Sequence, residues 1–191
     1  MRILIVNGNP DPAPERLSSG LAQAYADGAK AAGYEIRFID VGALSFSVLR
    51  NAADFALPPK DTDIVAAQAS FRWAEHLVVI YPIWLGSVPA LFKAFMELIG
   101  CDEFLATTRA GGYSKGNLNG RSARIIVTTG MPALLYRLIF GAHGAKAFER
   151  GILRLSGFSP IRSTYLGDVH LSYERSRAWL ALARRLGERA L

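Results

Sequence analysis

With 191 residues, 51% of them hydrophobic and 20% charged, the chain has the size and composition of one folded domain (residues 1–191) rather than of a disordered or fibrous protein. The 22 basic against 16 acidic side chains leave a net charge of +6. The basic residues are scattered, and the group Arg175, Arg177, Arg184, Arg185 and Arg189 is diluted by Glu174 and Glu188, which reads as a solvated helix face and not as a nucleic-acid patch. One cysteine, Cys101, excludes an internal disulfide and fits a reducing compartment, where we read it as structural. No apolar run approaches the roughly 20 residues of a membrane span, and the strand-like run starting at Arg2 leaves no leader, so a cytoplasmic protein without membrane insertion is expected.

In chain order, residues 2–6 (RILIV) form a first buried strand that Asn7-Gly8-Asn9-Pro10 ends. A helix follows from about Leu17 to Ala32, with Leu21 and Tyr25 at helical spacing, Ser18 or Ser19 as cap and Gly33 as stop. Glu35 to Ile39 alternates as a second strand, residues 42–60 read as an irregular crossover, and Asp61 to Ala74 as a helix with Ile64, Ala67 and Phe71 on one face. Leu77 to Tyr81 is a strand buried on both faces. Pro82 stops it, and the loop 83–88 leads into a helix from about Pro89 to Ile99 that is apolar nearly all round, which implies burial by the sheet or by another subunit. Residues 107–120 read as a glycine-rich loop, 123–129 as a fourth strand ended by Gly130, and 131–144 as a hydrophobic loop or short helix. A helix at about 145–156, a last strand from Ile161 to Leu166 and a terminal helix capped by Ser172, with Trp179, Leu182 and Leu186 inward, complete the chain. Strand and helix alternate five times, the pattern of a doubly wound parallel sheet.

In such a sheet ligands sit outside the carboxyl ends of the strands, where the winding reverses. Three loops leave those ends: 7–19, 82–88 and 130–144. The first runs into a helix start carrying Arg16, Ser18 and Ser19, and free amides, hydroxyls and a cation there suit a phosphate. It is neither a P-loop nor a G-x-G-x-x-G turn. The second offers an aromatic, exposed backbone at Gly86 and little charge, which suits a flat apolar ring. No G-x-S-x-G elbow is present, and His76, His143 and His170 lack metal-ligand spacing, so no metal is expected. His76 and His170 read as structural, while His143 shares a loop with Gly130 and Tyr136. A phosphate anchor, a flat slot and almost no acid–base pair leave the chemistry to a cofactor, and the positive balance suits an anionic cofactor or a phosphorylated reductant.

Several segments carry a more specific resemblance: Gly8-Asn9-Pro10 followed by RLSSGLAQAY, then DIVAAQASFRWAEHLVVIYPIWLGSVPALFKAFMELI, GGYSKGNLNGRSARIIVTTG and GILRLSGF. In this order they resemble the flavodoxin-like NAD(P)H:quinone oxidoreductase family, which includes DT-diaphorase and the modulator-of-drug-activity and potassium-efflux-ancillary reductases. The resemblance implies a flavodoxin-like three-layer α/β/α fold, with a five-stranded parallel sheet in the order 2-1-3-4-5. It implies a flavin between the loops, FMN in preference to FAD for so short a chain, and NAD(P)H (NADH or NADPH) as reductant. Asn9, Arg16, Leu17 and Ser18 fall where the family binds the flavin phosphate; Pro82, Ile83, Trp84 and Leu85 fall along the isoalloxazine; Thr128, Thr129, Gly130 and Met131 fall at its pyrimidine edge. Tyr136 and His143 match the residues facing the substrate, although their interval is one residue longer than in DT-diaphorase. Asn9, Arg16, Ser18 and Met131 also depart from the family's usual residues. The implied activity is two-electron, ping-pong reduction of quinones or similar electron-poor acceptors by a homodimer whose site lies at the subunit interface. A flavin-binding regulatory subunit of a membrane transporter and an electron-transfer flavodoxin remain as alternatives.

Overall fold

The computed structural model describes residues 1–108, 112, 114–169 and 173–191. Five strands, β1 (Arg2–Asn7), β2 (Glu35–Asp40), β3 (His76–Pro82), and the later strands Ser122–Thr128 and Ile161–Leu166, form one parallel sheet. Between β3 and Ser122–Thr128 the chain inserts a two-stranded antiparallel hairpin, β4 (Ala106–Thr108) and β5 (Ser114–Gly116), so the last two sheet strands are β6 and β7. The spatial order β2-β1-β3-β6-β7 is the expected 2-1-3-4-5 order counted over the sheet strands alone. The hairpin corrects the reading of 107–120 as loop. Its strands are three residues long, too short for any periodicity, and the Asn117 side chain ties its base by donating to the Glu103 carbonyl and to Thr107 Oγ1.

Helices cover both faces. α1 (Leu17–Ala31) and α7 (Tyr173–Arg189) pack together on one face over Ile3, Ile5, Val78, Ile80 and Ile126. The opposite face is covered by α3 (Thr62–Trp73), α4 (Ala90–Ile99) and α6 (His143–Phe148), and it buries Leu4, Val6, Leu77, Val79, Ile125 and Val127. The four-residue α2 (Ala52–Phe55), capped by the Asn51 side chain, lies within the otherwise irregular crossover. α5 (Ala133–Leu138) is a short helix within the predicted apolar segment. α6 runs on into a π-helical turn, Glu149–Arg154, so the helix expected at 145–156 begins and ends about two residues early.

Burial explains the central strand: all of β3 except Pro82 is buried, as a strand sandwiched between helix layers requires. The chain itself buries Phe92, Ala94, Phe95, Met96, Leu98 and Ile99 of α4, so the all-round apolar character of that helix needs no second subunit, contrary to one of the two readings. Pro89 is the N-cap of α4 and not its first residue. At α1 the N-cap is Arg16, without a side-chain cap, so Ser18 and Ser19 stand inside the first turn and their hydroxyls serve other partners. The proposed Ser172 cap and His170 lie outside the described residues.

Candidate active site

The winding reverses between β1 and β3, and the three loops lie side by side there. The Gly8 amide donates to the Ile80 carbonyl (2.7 Å), joining the first loop to β3. The Ile83 amide donates to the Thr128 carbonyl (2.8 Å), joining the second loop to the third.

The first loop is a chain of side-chain-to-backbone hydrogen bonds. Asn7, fully buried, accepts from the Asn9 amide (3.2 Å); Asn9 accepts from the Asp11 amide (3.2 Å); Asp11 accepts from the Ala13 amide (3.0 Å). Each is an asparagine or aspartate carbonyl bonding two residues on, the reason these types favour turns. The loop is then pinned to the helix start: Asn9 Nδ2 donates to Ser18 Oγ (2.8 Å), Asn7 Nδ2 to Ser19 Oγ (3.4 Å), and Ser19 Oγ to the Ala13 carbonyl (3.1 Å). Leu17, Ser18 and Ser19 occupy the first turn of a 15-residue helix, where amides have no intrahelical acceptor and the helix dipole is positive. The donor set fits a phosphate. Arg16 is not the free cation the sequence suggests. Its Nε lies 2.6 Å from Asp11 Oδ2, and the Ala13 amide, with Arg16 second, holds the Asp11 carboxyl below its usual range.

In the second loop, Trp84 and Ser87 pair through both backbone bonds (3.0 Å each), and Leu85 (φ 47°) and Gly86 (φ 81°) form the tip. Two successive positive φ values define a tight primed turn, and at Leu85 this conformation costs a side-chain-bearing residue stability. Leu85 is wholly exposed and Trp84 half so. The turn is braced by the start of α6: a Cβ on Gly144 would stand 2.0 Å from the Gly86 carbonyl oxygen, so only glycine permits this contact. Trp84, Leu85, Val88, Ala147 and Phe148 line one side of an apolar groove of about 640 Å³.

In the third loop the buried Thr129 turns the chain, with its Oγ1 accepting from the Met131 amide (3.3 Å), while Gly130 is exposed. Tyr136 and His143 part company. Tyr136 is 1% exposed, its ring tilted against Tyr165 at 6.0 Å and its hydroxyl accepting from the Ala145 amide (3.3 Å); burial pushes the phenol up, with the Ala145 amide opposing. His143 is exposed and folds back over Gly141, after Ala142 in the left-handed region (φ 49°). The surrounding segment, expected to be too apolar for solvent, is the most exposed apolar stretch of the described chain: Leu134 64%, Leu138 73%, Ile139 72% and Phe140 50%. The structure therefore brings together Asn9, Ser18 and Arg16, and separately Pro82, Ile83, Thr128, Thr129 and Met131, but it records no bond between Tyr136 and His143. The sequence reading missed Asn7, Asp11, Ser19 as a bonding partner, and Gly144. The alternation Asn7-Gly8-Asn9-Pro10-Asp11 directly after a buried strand was the available signal for the first two.

An open sheet with a polar helix start and an apolar turn at its switch point defines the class, and the chain matches the family described as flavodoxin-like fold over residues 1–190. The chain belongs to that family, and the resemblance to NAD(P)H:quinone oxidoreductases is borne out. It is 29% identical over 171 residues to NAD(P)H dehydrogenase [quinone] 1 of Rattus norvegicus, covering 75% of this chain and 62% of that protein. The chain spans 54–62% of the length of the first three curated relatives it matches. Among solved structures it is similar to a putative quinone reductase from Klebsiella pneumoniae (TM-score 0.81, 22% identity, 97% of this chain and 83% of that one). It is also similar to an FMN-dependent NADH-azoreductase from Bacillus anthracis in complex with FMN (TM-score 0.78, 13% identity, 99% and 98%). At these identities the structural likeness establishes the fold.

Proposed function

We propose that the protein is a flavin-dependent NAD(P)H oxidoreductase that reduces quinones or similar electron-poor acceptors in two-electron steps. We propose further that it works in the cytoplasm as a homodimer, with residues 1–191 forming one flavin-binding domain. The observation that carries this reading is the juxtaposition of a hydroxyl- and amide-rich helix start with a flat apolar turn on neighbouring strand ends. It is the donor set of a flavin mononucleotide: phosphate at Asn9, Arg16, Leu17 and Ser18, ring along Pro82 to Leu85, and pyrimidine edge at Thr128 to Met131. The name of the rat relative supports the reductant and acceptor class, and the FMN of the Bacillus anthracis neighbour supports FMN over FAD. Described helices long and apolar enough to cross a membrane are absent.

When bound, the flavin supplies a two-electron relay between reductant and acceptor. The chain's own work is positioning and charge. The amides of α1 and Ser18 would anchor the phosphate, and the strained turn would offer its backbone to the ring. Tyr136 braces the start of α6 through its hydroxyl, which fixes Gly144 against the turn. His143, whose side chain is exposed at the start of α6, is the candidate to face the reacting groups in the acceptor slot. The exposed apolar ledge of α5 supplies the subunit contact that completes the acceptor slot. One slot cannot hold both reactants, so double-reciprocal plots with NAD(P)H and a small quinone are expected to be parallel; intersecting lines would contradict a shared slot.

A further inference from the structure

At the opposite end of the sheet, under α1 and α7, lies a cluster of cationic and donor groups that no side-chain carboxylate among the described residues is bonded to. Arg124 of β6 is 7% exposed, and among the described residues its guanidinium makes one hydrogen bond, Nη1 to Thr164 Oγ1 (2.7 Å). Its Nε is buried without a partner. Arg162 of β7 is its register partner, so the two arginines stand abreast on the same face of the sheet. One strand further on, His76 is 2% exposed. Its Nδ1 lies 2.7 Å from Ser122 Oγ, and its Nε2 is likewise buried without a partner. Burial, with Arg124 and Arg162 next, depresses this imidazole to about 4, so near neutral pH it is an uncharged ring. Tyr25 of α1 covers the cluster closely enough for the Arg124 charge to act on its phenol. No carboxylate pairs with Arg124 or Arg162 among the described residues, and Arg124, unlike the exposed arginines, is buried.

A buried guanidinium is ordinarily paired, because an uncompensated buried charge is strongly unfavourable, and like charges side by side on adjacent strands make it worse. Water satisfies donors but leaves the charge. The arrangement is rich in donors and holds no anion among the described residues: two guanidinium forks, which match tetrahedral oxyanions, with hydroxyls beside them. Arg162 is exposed, so an ion reaches the cluster from solvent. We propose that Arg124 and Arg162 hold a phosphate-type oxyanion at the amino-terminal edge of the sheet, roughly 20 Å by strand length from the loops of the candidate active site. The group is either a free ion or the terminal phosphate of a small metabolite. Its role there is to neutralise β6 and β7 and couple their stability to phosphate supply. The inference stands independently of the flavin reading.

The test is thermal unfolding of the full chain in inorganic phosphate against chloride at matched ionic strength, with the Arg124 Nε–H resonance as a local probe. Binding should raise Tm saturably, by roughly 3–6 °C at ten times Kd for a chain of this size. The resonance that vanishes in Arg124→Met should shift along the same isotherm. The Tm gain should disappear in Arg124→Met and shrink in Arg162→Met, whose exposed site keeps the test open if the first variant fails to fold. Ribose 5-phosphate in place of phosphate separates the two sources: an equal gain admits a terminal phosphate, and a gain from phosphate alone indicates the free ion. An unshifted Nε–H resonance, or a gain kept in full by Arg124→Met or Arg162→Met, would overturn the proposal and leave any phosphate effect to another site.

Discussion

The loop after β1 and the segment after β6 leave the same edge of the sheet but are finished to different degrees. The first is closed on itself: Asn7, Asn9, Asp11, Ser18 and Ser19 satisfy one another, and Arg16 is paired. The second exposes Leu134, Leu138, Ile139 and Phe140 within one short segment. A polar loop with its bonds made in advance is prepared for a charged ligand at little ordering cost. An apolar helix left in solvent is prepared for a surface that covers it. The difference teaches that one half of the site is complete in the single chain, while the other leaves apolar surface uncovered, as the proposed dimer requires.

The largest expected effect breaks the second half. Leu138→Asp with Ile139→Asp places two charges where two large side chains would be buried, each worth about 1.5–3 kcal/mol. Dimer affinity should fall at least about a hundredfold, read by sedimentation velocity, while FMN affinity changes little. Unchanged assembly would move the interface elsewhere. Next comes the brace between the start of α6 and the turn after β3. Gly144→Ala forces a Cβ onto the Gly86 carbonyl, and overpacking against backbone costs about 1–3 kcal/mol. Tm and FMN affinity should fall together, whereas a wild-type Tm would mean that α6 and the turn separate freely.

The first half is sharpened by a pair of opposite substitutions. Arg16→Ala should weaken FMN by about 1–3 kcal/mol if its guanidinium contacts the phosphate. Asp11→Asn removes the anion that competes for Arg16 and should strengthen FMN by about two- to fivefold, as expected for a solvent-exposed ion pair. Calorimetric titration reads both. If Asp11→Asn also weakens binding, Asp11 acts by shaping the loop through the Ala13 amide and not by charge.

The fold was legible wherever a strand is buried on both faces or a helix carries an apolar stripe, as in β3, α3 and α4. The family motifs gave the sheet order directly. Two kinds of feature were not legible. The antiparallel pair Ala106–Thr108 and Ser114–Gly116 has strands too short to show a period, and its tie through Asn117 is a tertiary contact. The state of a named side chain depends on neighbours distant in sequence or hidden in composition. Tyr136 turned inward because the Ala145 amide lies under its hydroxyl, and Arg16 is neutralised by an aspartate five residues earlier that read as mere loop. Gly144 ends the apolar segment in sequence, and only the fold sets the turn at Gly86 against it. Composition displayed the charge excess but not that two of its arginines, Arg124 and Arg162, stand together on one face.

The central claim is that the three loops at the β1/β3 switch hold a flavin mononucleotide, and titration of the flavin-stripped protein with FMN tests it most directly. Quenching of flavin fluorescence should saturate at one FMN per chain with a Kd at or below about a micromolar, and Ser18→Val, which removes the hydroxyl proposed to meet the phosphate, should raise that Kd. Absence of saturable binding of FMN and of FAD at micromolar concentrations would contradict the account.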